Sequence, residues 1–191
     1  FRDPAIQAGA KFAMPNKFYL GAWTSIVDKS QFTNSRGFEV DLYAGYRTEI
    51  GGGWTLDGGL IQYIFPTESS FSTLEAFVGA EWQFVTLKVN HTLSNKFFGV
   101  TNAKHSQYFD VSIRYPLPMG LHALGHYGIQ RVHENSGDYL DYQIGIEKDW
   151  RDLTFTASII GTDVKAASTN AAGRVVKLGG RALVLSVSKN F

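Results

Sequence analysis

The sequence predicts an all-β protein: a transmembrane, antiparallel, up-and-down β-barrel of about twelve strands, eleven of which can be read here. Three observations carry the prediction. Apolar and polar residues alternate with period two in segment after segment, while helical spacing is scarce. Most segments are about ten residues long, the roughly 9–11 that a tilted strand needs to cross a bilayer, where soluble strands more often run to about 5–6. Connections alternate between short and long, as in barrels with short periplasmic turns and long outer loops. The whole of 1–191 reads as one barrel domain.

In chain order the strands are expected at 4–14, 18–27, 37–48, 54–64, 73–82, 85–94, 106–115, 121–130, 139–148, 153–161 and 181–191, with no helix between them. The segment from Phe38 to Arg47 shows the logic: Phe38, Val40, Leu42, Ala44 and Tyr46 share one face, and Glu39, Asp41, Tyr43 and Arg47 the other. At the end of the chain Leu183, Leu185, Val187 and Phe191 oppose Ser186, Ser188 and Asn190. Short turns fall at Pro15-Asn16-Lys17, Glu49–Gly53, Gln83-Phe84, Pro116–Gly120 and Asp149–Asp152. The longer, more polar connections are 28–36, 65–72, 95–105, 131–138 and 162–180.

Aromatic residues follow the same division. Next to the short turns lie Phe12, Phe18, Tyr46, Trp54, Trp82, Tyr115, Trp150 and Phe191, and at the opposite ends Phe65, Phe71, Phe97, Phe98, Phe109 and Tyr139. Two such bands one strand apart are what membrane–water interfaces select. Tyr46, Trp54, Trp82, Tyr115, Trp150 and Phe191 are therefore expected to form an aromatic girdle, with Phe191 also the contact for the barrel-assembly machinery.

Composition removes other classes. With 44% hydrophobic residues and a net charge of +1, the chain is neither disordered nor a charge-driven nucleic-acid binder. It has no cysteine, which excludes disulfide scaffolds and Cys-ligated metals. A mean hydropathy of −0.11 suggests a soluble protein, but alternating strands average to near-neutral values whatever their surroundings. By turn length the first strand runs inwards from the loop side. Single-chain barrels have even strand numbers, so a twelfth strand is expected ahead of residue 1.

Several motifs resemble those of the TorF-type family of proposed porins, the Gcw_chp proteins. They are Phe1-Arg2 with Asp3-Pro4-Ala5-Ile6-Gln7; Phe18–Trp23 followed by Ser25 and Asp28; Phe38–Asp41 with Gly45-Tyr46-Arg47; Asp57–Leu60 with Tyr63 and Pro66; and the terminal Phe191. In similar proteins a strand and a short loop separate Phe-Arg from Asp-Pro, whereas here Arg2 meets Asp3 directly. The resemblance implies an outer-membrane barrel and a pore, and brings with it no catalytic residue or substrate.

Placing the polar face of each strand inside makes Glu39, Asp41, Asp57, Glu75, Glu81, Asp110, Asp141 and Glu147 the interior acids. Lys11, Arg47, Lys88 and Arg114 are the interior bases, joined by His122 and His126. Eight acids against four bases leave this interior about four charges negative. Buried charges need pairing or hydration. The charges therefore either line a channel for cations or polar solutes, or pair into a network that plugs a narrow barrel. Lys29, Arg36, Lys96, Lys104, Arg131, Lys165, Arg174 and Lys177 outnumber the loop acids and would suit contact with lipopolysaccharide.

Catalytic readings are weak. His91 points outward beside Val89 and Leu93, but Ser94 falls on the other face and no acid stands near. His122 and His126 lie roughly 13 Å apart along one strand and cannot share an ion. Gly21-Ala22-Trp23 resembles the Gly-x-Trp of lipocalins, yet eleven strands and no final helix argue otherwise. Gly51-Gly52-Gly53 makes a tight turn, with no helix after it to hold phosphate. The expected function is passive diffusion of small polar solutes or ions through a bacterial outer-membrane porin, exported by a signal peptide, with outer-membrane lipid as surroundings and no cofactor or metal. A plugged structural or ligand-binding barrel is the alternative, and a lipid-modifying enzyme a more distant one.

Overall fold

The computed structural model describes residues 5–27, 37–133, 137–165, 167–169, 175–177 and 179–191. Eleven long strands in one antiparallel sheet organise these residues. They are β1 (Gln7–Ala13), β2 (Phe18–Val27), β3 (Gly37–Gly51), β4 (Trp54–Ile64), β5 (Thr73–Trp82), β6 (Val85–Thr92), β9 (Gln107–Leu117), β10 (Leu121–Arg131), β11 (Tyr139–Trp150), β12 (Leu153–Thr162) and β15 (Gly180–Lys189). Each pairs with its sequence neighbours in a meander. Two small hairpins complete the set: β7 (Lys96–Phe97) with β8 (Val100–Thr101), and β13 (Ala167–Thr169) with β14 (Val175–Lys177).

Turn chemistry sets where strands end. Gly51, Gly52 and Gly53 all take positive φ (93°, 61° and 78°), a run that side-chain-bearing residues would strain, and a bulge between Glu49 and Gly51 feeds into it. β3 consequently runs on to Gly51, beyond the expected 48. Gln83 and Arg151 adopt left-handed backbone in the two-residue turns after Trp82 and Trp150.

Several expectations need correction. Single 3-10 turns at Ser69–Phe71 and Pro118–Gly120 interrupt the order of strands, the only helical turns among the described residues. The long connections 95–105 and 162–180 carry the two hairpins rather than plain loop. β1 is shorter than the expected 4–14; residues 1–4 lie outside the described residues, as does the whole connection 28–36 with Lys29 and Arg36, and Arg174 in the last. Among the described residues the sheet is not a closed barrel. β1 pairs only with β2 and β15 only with β12, and every residue of both strands is exposed. In an antiparallel meander of eleven, the first and last strands run the same way, so they cannot complete an antiparallel ring by pairing with each other.

The register sorts side chains onto two faces. One is apolar and open: Leu20, Leu42, Leu60, Val78, Leu87, Val111, Ile144 and Leu185 all lie on it, with Ile144 68% and Leu185 72% exposed. No helix among the described residues is long and apolar enough to cross a membrane. The opposite face is polar and concave. Lys11 of β1 and Lys88 of β6 line one cavity, and Tyr63 of β4 and Tyr139 of β11, five places apart in the sheet, lie within electrostatic reach of each other.

The aromatic bands are unequal. Tyr46, Trp54, Trp82, Tyr115 and Trp150 are exposed on the apolar face at the turn end; Trp54 stacks on Trp82 at 5.9 Å, and Phe191 follows β15 fully exposed. At the loop end, Phe65, Phe71, Phe97 and Phe98 do not form an outward band. They pack on one another, and Phe97 joins Ala103 and Val132 in a buried cluster. Tyr139 sits on the polar face opposite Gln130. Position at a strand end shows an aromatic's height, not whether a loop will fold over it.

Candidate functional site: the charged concave face

All fourteen ionisable residues singled out for the interior fall on the concave face, Lys11 through its register with Gly21 and Tyr43. The ladder puts Arg47 opposite Asp57, Lys88 opposite Asp110, and His122 opposite Glu147. Glu39, Asp41, Glu75, Glu81, Arg114, His126 and Asp141 follow the same parity on their strands. Asp149, two residues beyond Glu147, shares this side, as do the rings of Tyr19, Phe77 and Tyr108, which alternation alone did not single out.

The charges fall into groups. In the first, Arg47 of β3 reaches past β4 to grip both carboxylate oxygens of Glu81 on β5; the Nη1–Oε1 distance is 2.7 Å. Arg47 Nη1 also stands 3.6 Å from Asp57 Oδ2, and the Tyr19 hydroxyl donates to Asp57 Oδ1 at 2.7 Å. A planar guanidinium suits this bidentate use.

The second group centres on His126. Its Nδ1 is 2.7 Å from Asp110 and its Nε2 2.8 Å from Asp141, so a ring carrying both protons satisfies a carboxylate on each side. The Tyr108 hydroxyl donates to Asp141 at 3.0 Å, and Ser112 donates to Asp110 at 3.0 Å. Gly128 faces both Asp110 and Asp141 in register, and its missing side chain leaves the space that the Tyr108 hydroxyl enters.

The third group looks like a metal centre and is filled otherwise. His122, Glu147 and Asp149 bring ligand atoms within 4.8 Å of one another. Arg114 sits among them: Nη2 is 2.7 Å from Glu147, 3.3 Å from Asp149 and 3.0 Å from His122 Nδ1. Arginine only donates, so His122 Nδ1 is the acceptor in this contact. A guanidinium occupies the place a cation would take. His122 and His126 stay in separate groups, and neither uses the other.

Towards the loops the face changes. Glu75 is buried and accepts from Thr92 at 3.0 Å; Asp41 is 8% exposed, and among the described residues its Oδ1 has no hydrogen-bond partner, like Asn90 Oδ1. Towards the turns a cavity of about 390 Å³ is lined by Lys11, Tyr19, Tyr43, Asp57, Phe77, Glu81 and Lys88 among others. Among the described residues neither lysine makes an ion pair. Lys11 lies over the Tyr19 ring at 3.9 Å and Lys88 over Phe77 at 4.5 Å.

A family model described as a bacterial protein of unknown function (Gcw_chp) matches residues 2–191. The chain belongs to the Gcw_chp family. No curated protein and no solved structure matches it. For this Gcw_chp chain, chemistry has to be read from the side chains themselves. Ser94, the hydroxyl weighed as a partner for His91, is committed elsewhere: its Oγ accepts from Leu74 N–H and donates to Lys96 C=O.

Outside the face, Asp138 fastens the connection after β10. It accepts from Val132 N–H at 2.7 Å and from Arg131 at 2.8 Å. These two donors hold its carboxyl below the usual carboxylate range, the backbone bond foremost.

Proposed function

We propose that the chain is an outer-membrane barrel, closed by one further strand outside this sequence, that passes small polar solutes or ions by passive diffusion. The observation that carries this reading is the inversion of the sheet: large aliphatic residues are exposed on one face while ionised residues converge on the other. A soluble monomer rarely exposes so extensive an apolar surface, whereas lipid requires it. Two unpaired edges on strands of equal direction call for one antiparallel strand between them, giving twelve. The resemblance to TorF-type proposed porins agrees with this. Outer-membrane lipid and lipopolysaccharide would surround the apolar face, and Phe191 would be offered to the assembly machinery.

Conduction in this reading belongs to groups outside the arginine and histidine clusters: Lys11 and Lys88 on the turn side, and on the loop side the carboxyls of Glu39, Asp41 and Glu75, the last two of them buried. Arg47, Arg114 and His126 hold the remaining acids. Liposome swelling with sugars, amino acids and ions of graded size tests it. Flux falling with solute size supports the pore, and no flux or planar-bilayer conductance rejects it.

One observation favours a second reading, a barrel stoppered at the loop end. The β7–β8 hairpin leans over the concave face, with Phe98 N–H donating to Thr73 Oγ1 at 2.9 Å and Phe98 5.0 Å from the Tyr63 ring. Swelling that appears only after this hairpin is shortened would select the stoppered form.

A further inference from the structure

Three of the chain's five histidines meet at one place that the charged face does not use. β6, β9 and β10 are consecutive in the sheet, and His91, His105 and His133 stand at their loop-side ends. His91 Nε2 is 3.2 Å from His105 Nδ1, and the His133 ring lies edge-on to His105 with centroids 5.8 Å apart. Two imidazole nitrogens on one tetrahedral zinc, each at about 2.0–2.1 Å, stand about 3.3 Å from each other. The observed pair already has that spacing.

The backbone beneath is fixed. Thr92 N–H donates to Ser106 C=O at 2.9 Å, His105 N–H to Thr92 C=O at 3.0 Å, and His133 N–H to Ser106 Oγ at 3.0 Å; Ser106 is fully buried. These bonds hold His105 in a left-handed conformation, φ 74°, which strains a non-glycine residue and aims its ring at His91. On the far side of His91, the Gln107 amide lies 3.4 Å from Nδ1. Turned with its oxygen inward, that amide accepts the Nδ1 proton and leaves the Nε2 lone pair for an ion, the supporting bond that ligating histidines ordinarily make.

We propose that His91 Nε2 and His105 Nδ1 bind a divalent transition ion of the imidazole-preferring class (zinc, copper or nickel) at the loop-side rim. His133 swings in as third ligand and water completes the shell. His133 is exposed beside the pair, and no acid has to be desolvated. The site stands whether or not the sheet conducts.

The test is calorimetric titration of the metal-free full chain in detergent micelles with zinc, and with magnesium as the hard-ion control. The expected result is one zinc per chain and no magnesium. Affinity should fall at least tenfold in His91→Gln and His105→Gln, and severalfold in His133→Gln and Gln107→Ala. It should be unchanged in His122→Gln, which removes the imidazole of the His122–Glu147–Asp149 group. The glutamine variants keep polarity and size, and circular dichroism of each confirms the sheet. Absence of zinc binding overturns the proposal. So does binding that survives the His91→Gln/His105→Gln double variant, or that disappears in His122→Gln.

Discussion

Arg47 and Glu81 grip each other across an intervening strand: β3 and β5 never pair, yet the guanidinium meets both carboxylate oxygens. Such a bridge over β4 forms only where the sheet is bent towards that face. It also neutralises an acid beside the cavity. Both side chains are more than a third exposed, which limits the stability at stake to about 1 kcal/mol. Arg47→Met should lower the unfolding free energy in micelles by about that much and raise cation over anion permeability, because Asp57 and Glu81 lose their counter-ion. A zero-current potential in a salt gradient reads the second effect; a shift towards anions would contradict it.

Lys11 and Lys88 are the opposite case. Neither has a carboxylate partner among the described residues, and both face the same cavity. Replacing both by Gln removes two positive charges from that cavity, so in the proposed pore permeability should shift towards cations with little loss of stability. Each loses a cation–π contact worth about 0.5–1 kcal/mol at most in an exposed setting. An unchanged zero-current potential would mean that solutes do not pass these lysines.

These pairings explain what the sequence could and could not reveal. Alternation fixes parity, so the sharing of one face by Glu39, Asp41, Arg47, Asp57 and the rest was legible, and strands such as β2, β4 and β5 are read to the residue. Which charges meet was not legible. Arg47 with Glu81, or His126 between Asp110 and Asp141, depends on register and on curvature between strands. The acids expected inside are also unevenly spread, because five of the eight stand against Arg47, Arg114 or His126. The β7–β8 hairpin escaped because two-residue strands show no alternation. His105 and His133 escaped because they lie in connections where no face is defined.

Gly128 gives a steric prediction. A Cβ there would stand 2.7 Å from Asp141 Oδ2 and closer still to the Tyr108 hydroxyl. Gly128→Ala should push Tyr108 away from Asp141 and His126 and cost about 1–3 kcal/mol, the usual range for overpacking. Gly128→Ala with Tyr108→Phe should recover part of that loss, since the clashing oxygen is gone. If the double variant is no more stable than the single one, the clash is not the cause.

Acid should release the connection after β10. The Asp138 carboxyl is held below its ordinary range by Val132 N–H and Arg131, so it stabilises the folded form above the ordinary carboxylate pKa, and this is lost as pH falls through the lower folded value. The protection of the Val132 amide, its exchange rate by NMR relative to the intrinsic rate at the same pH, should stay high near neutrality and fall below about pH 4. In Asp138→Asn the protection should be lower at neutral pH and nearly independent of acid. Val132 protection that persists unchanged in Asp138→Asn would show that the bond does not hold the segment.

Val132 also leads to the loop-side end of the concave face. It packs with Phe97 and Ala103, and Phe97 stacks edge-on with Phe98, which touches Tyr63 and Phe65. This small cluster is what keeps the hairpin down over Thr73 and Glu75, since two-residue strands cannot hold themselves. Phe97→Ala removes the ring at its centre. The cluster is too small to support the whole sheet, so the strands should persist by circular dichroism while the hairpin lifts. Single-channel conductance should then rise, and Glu75, now wetted, should make the channel more cation-selective. Phe97→Leu, which keeps an apolar filler, should behave nearly as the parent. Equal conductance for Phe97→Ala and the parent would place the narrowest point at the turn-side cavity, between Lys11 and Lys88.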